Sequence, residues 1–218
     1  MWNPQLINLL INALWETIYM VGVSLLIAAL FGIPLGVLLV ITGPGHIRPH
    51  RAIHSALSIA VNIGRSLPFI ILLVAIVPFT RLVVGTSIGT LGAIVPLTVS
   101  AIPFLARLVE TTLLEVDGGV IEAAQAMGAT NWQIISKVLI PEAKSGIVLV
   151  ITNCAVSLVS YSAMAGAVGG GGLGDLAIRY GYQRFQPDVM LATVIILVIL
   201  VQGIQSLGDW IARSINHR

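Results

Sequence analysis

Long apolar runs separated by short polar punctuation dominate this chain. From Thr17 to Ile47 no side chain is charged at neutral pH, which is enough for a first membrane-crossing helix near Thr17 to Thr42. Gly32, Pro34 and Gly36 lie inside it. Proline removes a helix hydrogen bond and glycine lets backbones approach, so a kink or a close helix contact is expected there. A turn-rich basic segment, Gly43 to Arg51, precedes a second apolar run from about Ile53 to Phe79. Asn62, Gly64, Arg65, Ser66 and Pro68 interrupt that run and predict a bent or broken helix. After a polar connection from Arg81 to Ser87, a third span runs from about Ile88 to Leu105, marked by Pro96 and Pro103 and ended by Arg107. A fourth, anchored by Lys144, runs from about Gly146 to Ala165, and a fifth from about Val189 to Leu207.

Composition makes these runs membrane spans rather than buried core. Of 218 residues, 57% are hydrophobic and 9% charged, which excludes an ordinary soluble domain. A spanning chain must satisfy every backbone group internally, and the alternating ten-residue segments of a barrel are absent, so the fold class is all-α integral membrane protein with five transmembrane helices. The net charge of +2 is slight and forms no basic stripe, so no nucleic-acid partner is expected. Cys154, the single cysteine, sits in an apolar run and is read as core packing. The start of the chain lacks the basic region and cleavage site of a signal peptide, and the first span is expected to remain in the mature protein. The whole of 1–218 is read as one transmembrane domain with its core at about 13–210.

The longest break in the apolar pattern is a segment of about 110–142. Within it Asp117 is placed to cap a helix containing Glu122-Ala123-Ala124, and Gly128 to end it. Thr130 and Gln133 fit a capping box for a second helix, which carries Trp132, Ile134, Ile135 and Val138 onto a membrane or protein surface and is closed by Pro141. Taken alone, this pattern is also that of a capped surface helix. The spacing Glu122-Ala123-Ala124, three residues, Gly128, nine residues, Val138-x-Ile140-Pro141 resembles the EAA loop of bacterial ABC importer permeases, with Val and Ile where that family commonly has Ile and Leu. The resemblance implies a coupling helix docked into a groove of a cytoplasmic ATPase, with Glu122, Ala123, Ala124, Gly128 and Pro141 as the coupling residues.

Charge distribution gives an independent orientation. Arg48, Arg51, Arg107, Lys137, Lys144, Arg213 and Arg218 fall on one side of a five-span layout and Arg81, Arg179 and Arg184 on the other. The positive-inside rule makes the first side cytoplasmic. The amino terminus is then outside, the carboxyl terminus inside, and the EAA-like loop between spans three and four is cytoplasmic.

Catalytic chemistry is not expected. The spans contain no carboxylate pair, His/Cys cluster or Ser-His-Asp set. His46, His50 and His54 have helical spacing, but Pro49 breaks the helix needed to align them, so they are read as cytoplasmic surface residues rather than metal ligands. The glycine-rich run Ala165 to Gly174 lacks the Lys-Ser or Lys-Thr of a nucleotide loop. It opens an external loop of about 166–188 carrying Tyr180, Tyr182 and Phe185, either a surface for a substrate-delivering partner or a lid over the helix ends. No metal or cofactor is expected in this chain. Transport against a gradient therefore draws energy from elsewhere. A secondary transporter is the alternative class, one that predicts internal repeats and discontinuous helices at matching positions.

Three residues are pathway or gate candidates. Arg65 in the second span costs about 2.5 kcal/mol or more at the bilayer centre, and either snorkels to an interface or makes a polar contact to the pathway or a neighbouring helix. Met164, among small residues near the outer end of span four, is placed either to block a narrow path or to pack in the core or against lipid, and Tyr161 shares that ambiguity. Around them, NIGRSLPFIILL, IVPFTRLVVGTSIG and YSAMAGAVGGGGLG resemble the methionine-importer branch of the same permeases. That resemblance, which covers essentially the whole chain, implies a bacterial inner-membrane subunit that pairs with a second permease copy. It also implies two copies of an ATP-binding subunit, which uses the ATP, and an external methionine-binding lipoprotein. Permeases for other amino acids share the pattern and remain an alternative.

Overall fold

The computed structural model describes residues 4–215, and among them the chain is helical with no strand. Four helices are long and apolar enough to cross a membrane, and a fifth crossing exists if a pair bent by 99° counts as one span. The long helices are α1 (Pro4–Thr42), α5 (Gly89–Leu114), α8 (Ile140–Ala167) and α10 (Pro187–Ile215). The bent pair is α2 (Arg51–Ser66) and α3 (Phe69–Ala75), followed by α4 (Val77–Val84). Short helices α6 (Gly118–Ala126), α7 (Asn131–Ile134) and α9 (Gly172–Leu176) fill the connections.

The core is built around α5, every residue of which from Gly92 to Thr98 is buried. Its closest neighbour is α1, and glycines set the spacing. A Cβ on Gly32 would sit 3.1 Å from the Ile102 carbonyl oxygen, and one on Gly36 only 2.7 Å from that of Ala106 and 2.8 Å from the Val109 Cβ. The Gly-x-x-x-Gly face of α1 is thus where two helix backbones meet, the arrangement by which membrane helices gain dispersion contact without help from a hydrophobic effect. Further along α5, Thr112 touches Gly146 of α8, and Ser145 donates to the Ala212 carbonyl of α10 at 3.2 Å. These contacts gather the carboxyl ends of α1, α5 and α10 and the amino end of α8 at one end of the bundle.

At the opposite end the connection from α8 to α10 is stitched back to the amino-terminal half of α1. The Gly172 amide donates to Glu16 Oε2 at 2.7 Å, and the Leu173 amide donates to Thr17 Oγ1 at 2.9 Å. Gly171 and Gly172, with φ of 79° and 74°, turn these amides toward α1. The first helix is therefore already formed at Pro4, the first described residue, well before Thr17. Its charged Glu16 is no boundary, because the carboxylate is used as a hydrogen-bond acceptor inside the fold.

Three other expected boundaries move for similar reasons. Arg107 does not end the third span, since its Nη1 lies 2.7 Å from Glu110 Oε2 and the pair lets α5 run on to Leu114. Pro141 does not close the second loop helix. A π-helical turn over Ile135–Leu139, with the Ile140 amide bonded to the Ile135 carbonyl, widens the coil just before it. The helix then continues unbroken from Asn131 to Ala167. The fifth span likewise extends to Pro187–Ile215. The second span breaks at Leu67-Pro68 as its sequence predicts.

Candidate functional site

The α6–α7 segment is a turn defined by its caps. Asp117 Oδ1 accepts the Gly119 amide at 2.8 Å and starts α6. Gly128 ends it with φ of 78°, allowing the Ala129 amide to reach the Ala124 carbonyl at 3.1 Å and its own amide to reach that of Gln125 at 2.9 Å. This double bond pattern is the Schellman closure that favours glycine. Two residues later Thr130 and Gln133 form the reciprocal capping box, with the Thr130 amide on Gln133 Oε1 at 2.8 Å and the Gln133 amide on Thr130 Oγ1 at 3.3 Å. Both sides of this helix-to-helix junction are thereby closed by local hydrogen bonds, which hold the shape of the turn.

What it projects is informative. Ala124 faces inward and is buried, whereas Glu122, Ala123, Gly128 and Pro141 are exposed. Met127 is 81% exposed and Trp132 74% exposed, one on each side of the glycine. Of the apolar side chains expected on this surface only Trp132 lies fully there. Ile134 and Ile135 are buried, because the continuous helix turns them under the bundle, and Val138 is half-buried. Met127 was not anticipated; its place one residue before the helix-ending glycine is the signal that finds it. The turn thus presents two large apolar side chains to the outside, with small residues between them.

The pathway candidates occupy different surroundings. Met164 is 46% exposed and lines a groove of about 580 Å³ between α8 and α10, with Ser160, Ala163, Leu197, Val201 and Gln202 among its walls. Tyr161, on the adjacent face, stacks on Phe69 with ring centroids 4.8 Å apart and planes 6° from parallel. That stack fixes the first residue of α3, immediately after the proline break, against α8. Arg65 is exposed near the end of α2, and among the described residues it has no ion pair or hydrogen bond. The structure brings Tyr161 to the α2–α3 break and sets Met164 apart, in the α8–α10 groove.

Two of the histidines, His50 and His54, make hydrogen bonds. His50 Nδ1 accepts the Ile53 amide and caps α2, and the His54 ring is 3.0 Å from the Leu39 carbonyl. Cys154 is fully buried in the core.

Comparison with known proteins agrees with this architecture. The family model described as binding-protein-dependent transport system inner membrane component matches residues 32–218. The chain is 55% identical over 217 residues to the probable D-methionine transport system permease protein MetI of Vibrio cholerae serotype O1, covering 100% of this chain and 96% of that protein. To the D-methionine transport system permease protein MetI of Escherichia coli strain K12 it is 54% identical over 158 residues, 72% of this chain and 73% of the relative. Among solved structures it matches a chain from inward-facing conformations of the MetNI methionine ABC transporter with a TM-score of 0.97 and 50% identity, over 99% of this chain and 100% of that one. An amino acid ABC transporter crystallised with histidines gives a TM-score of 0.78 at 18% identity over 95% of this chain and 94% of that one, a likeness of fold alone. The chain belongs to the family of binding-protein-dependent transport system inner membrane components.

Proposed function

We propose that the protein is the membrane-spanning permease subunit of an ATP-driven importer that carries methionine, received from an external binding protein, across the bacterial inner membrane. The observation that carries this reading is likeness along the whole chain, at half or more of the residues, to permeases named for D-methionine transport and to a methionine ABC transporter. Both enantiomers are included as cargo, because the relatives are named for the D form and the solved transporter for methionine without a stated hand. The family match removes the support for a secondary transporter. ATP is hydrolysed by a partner subunit, two copies of which sit beneath two copies of this chain.

In this reading 1–218 is one permease domain with its core at about 13–210, 110–142 is its coupling loop and 166–188 its external loop. The capped α6–α7 turn docks in the ATPase groove through Glu122, Ala123, Gly128 and Pro141, flanked by Met127 and Trp132, with Ala124 buried behind that surface. Supporting this is the local capping of the turn, which lets it transmit a push as a unit. ATP-driven closure of the partner dimer moves the two turns, and each turn is continuous with α8 through Asn131–Ala167. A displacement at the turn is therefore delivered straight to the helix carrying Tyr161 and Met164, and access alternates between the two sides. Met164 and Tyr161 act near the outer end of that path and Arg65 deeper within it. The amino terminus is outside and the carboxyl terminus cytoplasmic, supported by the collection of Arg48, Arg51, Arg107, Lys137, Lys144 and Arg213 at the α6–α7 end of the bundle.

The test is ATP-dependent uptake of D- and L-methionine by vesicles holding this chain with its ATPase and binding protein. Uptake of both forms is expected. Movement of other amino acids but not methionine would retain the permease class and remove the cargo.

A further inference from the structure

Arg65 is a charge with nothing to pair with. Its helix, α2, runs alongside α5 in opposite direction: Leu57 and Val61 pack with Leu39 and Ala106, and Gly64 abuts Pro103, where a Cβ would meet the proline Cγ at 2.8 Å. Pro103 precedes Thr112, which marks the level of Gly146, Ser145 and Ala212 at the coupling end, by nine positions on α5. At a rise of about 1.5 Å per residue this places Arg65 about 14 Å from that level along the bundle, a distance about half the roughly 30 Å of a hydrocarbon layer.

It does not stand there alone. Arg51, Ser55, Ser58, Asn62, Arg65 and Ser66 fall within an arc of about 100° on α2, a polar stripe beside the face that packs on α5. Ser58 is half-buried and the other five are exposed. A stripe of this kind at membrane depth faces either a water-filled path or another protein surface, because lipid tails satisfy none of its groups.

A second copy of the same chain offers no counter-charge for it. The protein has nine acidic residues. Glu16 holds the Gly172 amide, Glu110 pairs with Arg107, and Asp175 pairs with Arg179. Glu115, Asp117, Glu122 and Glu142 lie in the coupling segment, and Asp188 begins α10 at the opposite end. Only Asp209 approaches in depth. It precedes Ala212 by three positions on α10, which leaves it about 9 Å nearer the coupling end than Arg65 at the same rise per residue. The polar stripe of α8, exposed Asn153 and Ser160 with half-buried Ser157 between them, is uncharged.

An amino acid carries the missing charge. Resting on the reading of this chain as an amino-acid importer, we infer that Arg65 is the residue of the translocation path that holds the α-carboxylate of the cargo during passage, so that the ion pair exists only while cargo is inside. A guanidinium suits this task because its planar donors match a carboxylate in bidentate fashion and it stays charged at any physiological pH. A permanent protein partner would compete with the cargo, and the chain supplies none at that depth. The substrate class that follows is amino acids with a free α-carboxylate. Next to Arg65 on α2, the polar side chains of Ser58, Asn62 and Ser66 are uncharged, as are those of Asn153, Ser157 and Ser160 on α8, and they add no second charge to be matched by the cargo side chain.

The experiment uses the complete complex of this chain, its ATPase and its binding protein in vesicles, comparing wild type with Arg65→Lys, Arg65→Gln and Asp209→Asn. Methionine uptake and basal ATP hydrolysis are measured together. Arg65→Gln is expected to lower uptake about tenfold or more while complex assembly and basal hydrolysis persist, and Arg65→Lys to restore a large part of it. Asp209→Asn is expected to transport as wild type. Wild-type uptake by Arg65→Gln, or no recovery with lysine, overturns the inference. So does a loss in Asp209→Asn that the exchanged pair Arg65→Asp with Asp209→Arg repairs, since that would mark an ion pair between copies. Full uptake by Arg65→Gln in vesicles of zwitterionic lipid alone would hand the charge to a lipid headgroup. A wild-type complex that moves no methionine would defeat the importer reading itself, whatever the variants do.

Discussion

The turn at Gly128 isolates backbone strain from packing. A Cβ at that position would meet nothing within 4 Å, while φ is 78°. An added Cβ therefore meets no neighbour, and substitutions differ chiefly in how readily they hold the left-handed conformation and in what they add to the exposed surface. An alanine there costs about 1–2 kcal/mol, which lowers the population of the closed turn about 5- to 30-fold relative to glycine. A β-branched valine costs more, and asparagine, which visits this region readily, costs less. Loss of the turn releases the Ala129-to-Ala124 and Gly128-to-Gln125 hydrogen bonds, so α6 no longer meets α7 at a fixed angle. The expected order of ATP-driven uptake in vesicles is Gly, then Asn, then Ala, then Val, with membrane insertion equal for all four by quantitative immunoblot. Gly128→Asp against Gly128→Asn compares the same backbone with and without a charge at the docking surface, and Asp is expected to bind the ATPase more weakly on co-purification. Wild-type uptake by Gly128→Val, or equal damage from Asn and Val, would refute the argument that left-handed geometry is what the turn needs.

Other positions give separable outcomes. Met164→Ala is expected to raise basal ATP hydrolysis or passive methionine leak of the reconstituted complex, and unchanged leak and turnover would remove Met164 as a gate. Arg107→Ala leaves Glu110, 6% exposed, without its partner and should destabilise the chain by about 3 kcal/mol or more. Replacing both by leucine should restore most of that loss, read as the thermal unfolding midpoint in detergent; an equal fall for single and double variants would refute the pairing argument. Glu16→Ala removes the acceptor of the Gly172 amide and should cost about 1.5–3 kcal/mol, while Glu16→Gln keeps an acceptor oxygen and should cost less. Hydrogen exchange at Gly172 and Leu173 is the check, with faster exchange in alanine than in glutamine.

The α1–α5 interface shows how far glycine placement reaches beyond turns. With Gly36 at 2.7 Å from a carbonyl oxygen for any added Cβ, the helices cannot approach as they do with alanine there. The end that carries the capped α6–α7 turn also carries the π-helical widening before Pro141 and the Arg107–Glu110 pair. Its opposite end carries the glycine stitch of Gly171 and Gly172 to α1. A bundle held at both ends by directional hydrogen bonds and along its length by close packing suits alternation between two rigid arrangements more than continuous deformation.

Local chemistry was legible without coordinates. Apolar run length fixed the class and the approximate spans, since a bilayer demands internally bonded backbone, and the caps of α6 and α7 were readable because Asp117, Gly128, Thr130 and Gln133 act on neighbours a few residues away. The break at Leu67-Pro68 was equally local. What the sequence could not supply was any effect of a distant partner. Glu16 and Arg107 look like span boundaries until Gly172 and Glu110 are found beside them, and Pro141 looks like a helix end until the π-helical turn is seen to accommodate it. Ile134 and Ile135 look like surface residues until the helix carries them beneath the bundle. The polar arc of α2 was present as a helical period in the sequence, but only the packing of Gly64 on Pro103 set its depth, and only the partners and places that the fold gives the acids left Arg65 without one. Hydrophobic length and capping are properties of a segment, whereas the tolerance of a charge depends on which residues the fold brings within hydrogen-bond reach.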